Sequence, residues 1–184
     1  MIRDVRTFAF APGQRLFLDT NVWLDVLGPQ SKPDEPRVVA YSEALGRMIE
    51  SGASVFLDAT VVSEFTNAVM RYFHRAHDNG ISAKAYRATP HYRQNVPAIK
   101  SYLASLLSSA TLIEGGVRAA ELPALVMGLD DARLDFNDLV ILGVCRRENL
   151  TLVTDDVDFR GADVELLTAN THLLDYQARH PAGE

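Results

Sequence analysis

Three short apolar runs in this chain end in aspartate. Leu16-Phe17-Leu18 stops at Asp19, Val55-Phe56-Leu57 stops at Asp58, and Leu150-Thr151-Leu152-Val153-Thr154 runs into Asp155-Asp156. Runs this short and this apolar read as strands covered on both faces, which is how parallel sheets are built. The stretches between them have helical spacing. Thr20-Asn21 can cap a helix over Val22–Leu27, and residues 37–51 put Val38, Tyr41, Leu45, Met48 and Ile49 on one face. Further helices are expected over 60–79, stopped by Gly80, and as a pair over 82–108 split near Pro97. Others are expected over 117–129 with a break at Pro123, over 136–148, and over 170–179. Weaker strands are expected at 110–113, ended by Gly115-Gly116, and at 164–167. Strand and helix in alternation imply an α/β fold with a parallel sheet.

With 184 residues, 47% of them hydrophobic, the chain can bury one sizeable core and is not expected to be disordered. One domain over 1–184 is expected. The longest apolar stretch, Leu139 to Cys145, is far short of the ~20 residues that cross a bilayer, so no membrane association is expected. No secretory leader is expected, because after Arg3, Asp4 and Arg6 the apolar stretch Phe8 to Ala11 is too short for a leader's hydrophobic region. The single cysteine, Cys145, excludes an internal disulfide and any cysteine-based zinc site. It reads as a buried core thiol, and a cytoplasmic address is the expectation.

Ligands of parallel α/β sheets bind beyond the carboxyl ends of the strands. Asp19, Asp58, Asp155 and Asp156 fall there. Glu64 lies one turn into the helix after the second strand, and Asp135 and Asp138 flank the start of the helix before the fourth. Carboxylates packed together repel one another and resist ionisation. Oxygen-rich sites suit Mg²⁺ or Mn²⁺, and two such ions would balance four carboxylates. Paired ions can activate water and stabilise the leaving oxygen in phosphodiester cleavage.

Four segments carry a family resemblance. Phe17-Leu18-Asp19-Thr20-Asn21-Val22 resembles the opening motif of PIN-domain ribonucleases, and Val62-Ser63-Glu64-Phe65 resembles their second motif. Asn137-Asp138-Leu139-Val140-Ile141 resembles the third, and Leu152-Val153-Thr154-Asp155-Asp156-Val157-Asp158-Phe159 the fourth. The resemblance implies a three-layer domain in which a five-stranded parallel sheet, order 3-2-1-4-5, lies between helices. It implies that Asp19, Glu64, Asp138 and Asp156 hold Mg²⁺ or Mn²⁺ and position an attacking water, with Asp19 and Asp138 as direct ligands. Asn21 and Thr154 match supporting polar positions. Asp135 rivals Asp138 and Asp155 rivals Asp156, while Asp58 stands where the family more often has a small hydroxyl residue. Small members of this family are mostly VapC toxins of toxin–antitoxin pairs, which implies an RNA substrate, an antitoxin partner and a homodimer. The chain is longer than the usual VapC toxin, with the excess at 28–36 and in a helical elaboration over 80–109.

The overall charge is −6, which opposes broad nucleic-acid affinity. Its distribution is uneven. Between residues 71 and 100, Arg71, Arg75, Lys84, Arg87, Arg93 and Lys100 face a single acid, Asp78, and Tyr72, Phe73, Tyr86 and Tyr92 interleave with them. Basic residues with aromatics can hold phosphates and stack bases, so Arg71, Arg75, Lys84, Arg87 and Arg93 are candidate RNA contacts. The alternative is a solvated helical face. His74 and His77, three residues apart, read as a solvent-facing pair or as RNA contacts rather than metal ligands. Trp23 reads as core or as a subunit contact.

Two other classes compete with a ribonuclease. A phosphatase of the haloacid dehalogenase type also begins with an apolar strand ending in Asp, but it needs a second Asp two residues later, where this chain has Asn21. A binding module on the same scaffold would hold RNA or a partner without cutting.

Overall fold

The computed structural model describes residues 1–77, 80–114, 116–129 and 133–181. Among them, six strands form one parallel sheet: β1 (Ile2–Asp4), β2 (Arg15–Leu18), β3 (Ser54–Leu57), β4 (Thr111–Leu112), β5 (Thr151–Val153) and β6 (Leu166–Thr168). Their order is β1-β6-β5-β2-β3-β4. The five expected strands thus take the expected order, and a sixth is added at the edge. Register puts Phe17 opposite Phe56 on one side and Leu152 on the other, so β2 is central. Phe17, Leu18, Leu152, Val153, Leu166 and Leu167 are all buried, as strands covered on both faces must be.

The extra strand corrects the five-strand expectation. Ile2 pairs with Leu166 and Asp4 with Thr168. Only Ile2 of the three is buried, so the segment carries almost no apolar signal. What holds it comes from distant parts of the chain. Gln177 accepts from the Ile2 N–H at 2.7 Å, Arg47 donates to the Val5 carbonyl at 2.6 Å, and Val5 is fully buried.

The helices are α1 (Thr20–Leu27), α2 (Pro36–Glu50), α3 (Ala59–His77), α4 (Ala83–Tyr86), α5 (Pro90–Ser109), α6 (Leu122–Gly128), α7 (Phe136–Glu148) and α8 (Thr171–Arg179). Asp19 caps α1, and Asn170 caps α8. At the end of α1 the chain passes so close to itself that a Cβ on Gly28 would sit 2.4 Å from the Leu24 carbonyl oxygen. The expected end of α3 at Asn79, the acid Asp78 and the turn residue Gly115 lie outside the described residues.

Two proline expectations are corrected. The pair over 82–108 divides at 87–89, where Thr89 caps α5 through the Tyr92 N–H, and Pro97 sits inside that helix. Burial of Ile99 and Leu106, with Tyr102 and Leu103 packed beside them, outweighs the hydrogen bond lost at Pro97. Pro123 does not break a helix over 117–129. It stands in the first turn of a shorter one, where its missing N–H costs nothing. Trp23 and Cys145 are both core residues, and burial pushes the Cys145 thiol well above its ordinary pKa. No helix among the described residues is long and apolar enough to cross a membrane.

Candidate active site

The carboxyl ends of β2 and β5 lie side by side, and the acids follow from that. Asp19 leaves β2 as the cap of α1 and is 6% exposed. Three donors clamp its carboxylate. The Thr20 N–H donates to Oδ1 at 2.6 Å, and the Thr154 hydroxyl and Asn21 Nδ2 donate to Oδ2 at 2.7 and 2.8 Å. Thr154, at the end of β5, is fully buried. Its oxygen also accepts from Asn21 Nδ2 at 3.2 Å and from the Asp156 N–H at 3.0 Å. Both expected supporting residues therefore hold Asp19, and Thr154 joins it to the turn carrying Asp156. Asp156 in turn caps the 3-10 turn over 157–159 through the Asp158 N–H.

Glu64 reaches the same cleft from the second turn of α3. The Thr20 hydroxyl donates to Oε2 at 2.6 Å, and Asn137 Nδ2 donates to Oε1 at 2.7 Å. Thr20 and Asn137 thus fix Glu64 from two other elements. Each adjoins a motif aspartate, which is the one sequence sign of a contact that spans 44 and 73 residues.

Asp138 is the third residue of α7. It exchanges hydrogen bonds with Asp135: Asp135 Oδ1 accepts from the Asp138 N–H at 3.0 Å, and Asp138 Oδ2 accepts from the Asp135 N–H at 2.9 Å. This reciprocal cap explains why two acids stand three residues apart. Asp135 is exposed and Asp138 half-buried.

Asp19, Glu64, Asp135, Asp138 and Asp156 all line one cleft of about 530 Å³. Asp155 and Asp58 do not. Asp155 turns the other way, where it accepts from Tyr41 at 2.8 Å and meets Arg37 at 3.6 Å. Asp58 is fully buried under α3, accepting the Val61 N–H at 3.1 Å, with its second oxygen unpartnered.

Burial drives the Asp19 carboxyl up to about 7, against the pull of its hydrogen bonds and with added repulsion from Glu64 and Asp138. Burial likewise raises Asp138 to about 6, with Asp135, Asp156 and Glu64 repelling it. No basic group enters either balance. Among the described residues, no three His, Cys, Asp or Glu side chains converge tightly enough to form a ready metal cage. Each of Asp19, Glu64 and Asp138 is instead engaged by donors of the protein itself: Thr20, Asn21, Asn137, Thr154 and the α7 cap. The donor set nonetheless fits a hard divalent cation: five carboxylates on one cleft, with Arg71 and Arg133 as the basic side chains in its lining.

The described basic candidates of the 71–100 segment, Arg71, Arg75, Lys84, Arg87 and Arg93, are all exposed on α3, α4, the turn after it and α5. Tyr86 among them is buried, so it is a packing residue of this arm. His74 and His77 are not solvent-facing. Both are half-buried against the Tyr86 ring, with centroids 5.2 and 5.6 Å away.

The PIN domain family model matches residues 16–165, from β2 to the residue before β6. The chain belongs to the PIN-domain family. Among curated proteins, no sequence matches it significantly. Two solved structures share the PIN fold with it. VapBC2 from Rickettsia felis, bound to a DNA fragment from their promoter, is 17% identical, with 83% of this chain and 97% of that one covered, at a TM-score of 0.54. PAE2754 from Pyrobaculum aerophilum is 16% identical, with 90% and 98% covered, at 0.51.

Proposed function

We propose that this PIN-domain protein is a divalent-metal-dependent endoribonuclease and the toxin of a toxin–antitoxin pair. The observation that carries the reading is Asp19: a buried carboxylate clamped by three donors, without a basic partner, in a cleft that three other motif acids share. So costly an arrangement is retained where the charge is used.

Asp19 and Asp138 would hold the Mg²⁺ or Mn²⁺, and Glu64 and Asp156 would complete the acid set. Bound there, the metal would supply an activated water and charge stabilisation at the scissile phosphate. The chain's own part is positioning. Thr154 and Asn21 aim Asp19 Oδ2, and Thr154 ties that aim to the Asp156 turn. Thr20 and Asn137 hold Glu64 in place to orient the attacking water. Asp135 shapes the start of α7 and thereby sets Asp138.

The toxin assignment draws on the VapBC2 likeness and on the four motifs, and it brings with it an antitoxin partner and a cytoplasmic address. A homodimer is part of the same reading; Tyr72 and Leu107, exposed on α3 and α5, offer apolar surface for it. Residues 1–184 act as one unit, with 80–109 as its elaboration.

The test is cleavage of a mixed RNA pool by the purified protein in Mn²⁺, Mg²⁺ or excess EDTA, beside Asp19→Asn. Metal-dependent cleavage that the variant lacks is expected. Intact RNA binding without cleavage in any metal would replace the nuclease with a binding module.

A further inference from the structure

The face of α3 that begins in the acid cleft continues beyond it. Glu64, Asn67, Ala68 and Arg71 line the cleft, while Asn67, Met70, Arg71 and His74 line a second, smaller cavity beside it. These residues follow one helical face, and Glu64 to Arg71 is about 10 Å along the axis. The opposite wall is Tyr86, Arg87 and Tyr92, brought over α3 by α4 and the start of α5.

The cavity measures about 220 Å³. That is below the roughly 300–1,000 Å³ of sites for whole small molecules, and it suits one planar heterocycle. Its walls are held rigid. The Tyr86 ring meets Tyr92 edge-on at 5.7 Å, and its hydroxyl accepts from Asn95 Nδ2 at 3.0 Å. His74 Nε2 donates to the Ile81 carbonyl at 2.8 Å, because a carbonyl only accepts. That bond fixes the ring and leaves Nδ1 an acceptor in the neutral form. Arg71 and Arg87 are exposed, and neither is ion-paired among the described residues. Arg71 stands on the border, in the lining of both spaces.

We propose that this cavity receives one unpaired RNA base next to the scissile phosphate, with Arg71 holding the phosphate between base and cleft. The inference rests on the ribonuclease reading above. Aromatic and histidine rings give a base a stacking surface. Arg71 offsets the repulsion that the acid cleft exerts on an approaching phosphate. The helical elaboration thereby acquires a purpose: it supplies the outer wall of a base-reading subsite that the catalytic acids alone would not form.

The test compares the full-length protein with Tyr92→Ala, Tyr92→Phe and His74→Ala. Fluorescent homopolymers of A, C and U, and a ribose-phosphate polymer without bases, are titrated in EDTA. The tightest homopolymer should bind Tyr92→Ala and His74→Ala about tenfold more weakly than the wild type. Tyr92→Phe, which keeps the ring, should bind as the wild type does, and the baseless polymer should bind all four proteins alike. Equal homopolymer binding by all four proteins would overturn the subsite. So would equal losses for the baseless polymer, which would mean that the arm holds phosphate alone. Cleavage of the RNA pool in Mn²⁺ is read separately. Cleavage with equal homopolymer binding removes the subsite and leaves the nuclease, whereas no cleavage and no homopolymer binding removes both.

Discussion

Replacing Asp19 by Asn should change the stability of the metal-free protein in a direction that depends on pH. Asp19 lies at about 7 when folded, against 3.8 as a free side chain. At about 1.36 kcal/mol per pH unit, carrying its charge into the fold costs on the order of 4 kcal/mol once the group is ionised. Because the folded value is the higher one, the stabilising proton is fully present below pH 3.8 and lost as pH rises through about 7. Asn carries no charge at any pH. It keeps an oxygen for the Thr20 N–H but turns an amide toward the donor Asn21, a mismatch of roughly 1–3 kcal/mol. At pH 4, where ionisation costs the wild type only about 0.6 kcal/mol, the variant should therefore be less stable than the wild type. At pH 8 in EDTA it should be more stable, by about 1–3 kcal/mol. Urea unfolding of both proteins across this range measures the difference, and taking the difference removes acids titrating elsewhere. Saturating Mn²⁺ at pH 8 should then stabilise the wild type and leave the variant unmoved. A variant destabilised equally at pH 4 and pH 8 would refute the argument, since Asp19 would then carry its charge without cost.

Three other outcomes follow from the geometry. Thr154→Val preserves shape but deprives Asp19 Oδ2 of a donor and the Asp156 N–H of an acceptor; Mn²⁺ affinity, by isothermal titration, should fall about 10- to 100-fold. Asn137→Ala frees one oxygen of Glu64 and should lower kcat for RNA while shifting urea stability by only about 1 kcal/mol; an unchanged kcat would deny Glu64 its positioning role. Val5→Asp buries an unpaired charge where Val5 is fully enclosed, and a loss of at least about 3 kcal/mol is expected; a smaller loss would show that the β1 edge is dispensable.

The sheet was legible because its central strands are apolar on both faces and end in acids, so period and punctuation agreed at 16–19, 55–58 and 150–156. Ile2-Arg3-Asp4 gave no such sign, since an edge strand of three residues buries one side chain and pairs through its backbone. Pro97 misled for a different reason: a local rule was outweighed by the packing of Ile99 and Leu106, which only the folded α5 brings together. In the site, the motif acids and their Thr154 and Asn21 supports could be named from spacing and resemblance. The link from Thr20 through Glu64 to Asn137 could not, because hydrogen bonds between distant elements leave no periodicity. Asp155 and Asp156 are neighbours in sequence, yet the backbone sends them to opposite grooves, one toward Tyr41 and the other toward Asp19's cleft.

The pairing of β1 with β6 makes the order of synthesis matter. Ile2 is made before every motif acid, and its partner Leu166 emerges only after all of them. A nascent chain halted at residue 160 would hold Asp19, Glu64, Asp138 and Asp156, but β5 would lack its neighbour β6 and β1 would have nothing to pair with. The strand that leads into Thr154 would then be an open edge. In the order of synthesis the sheet is thus completed after all four acids have been made, and β5 passes through a stage with an unpaired edge of the kind that invites pairing with another chain.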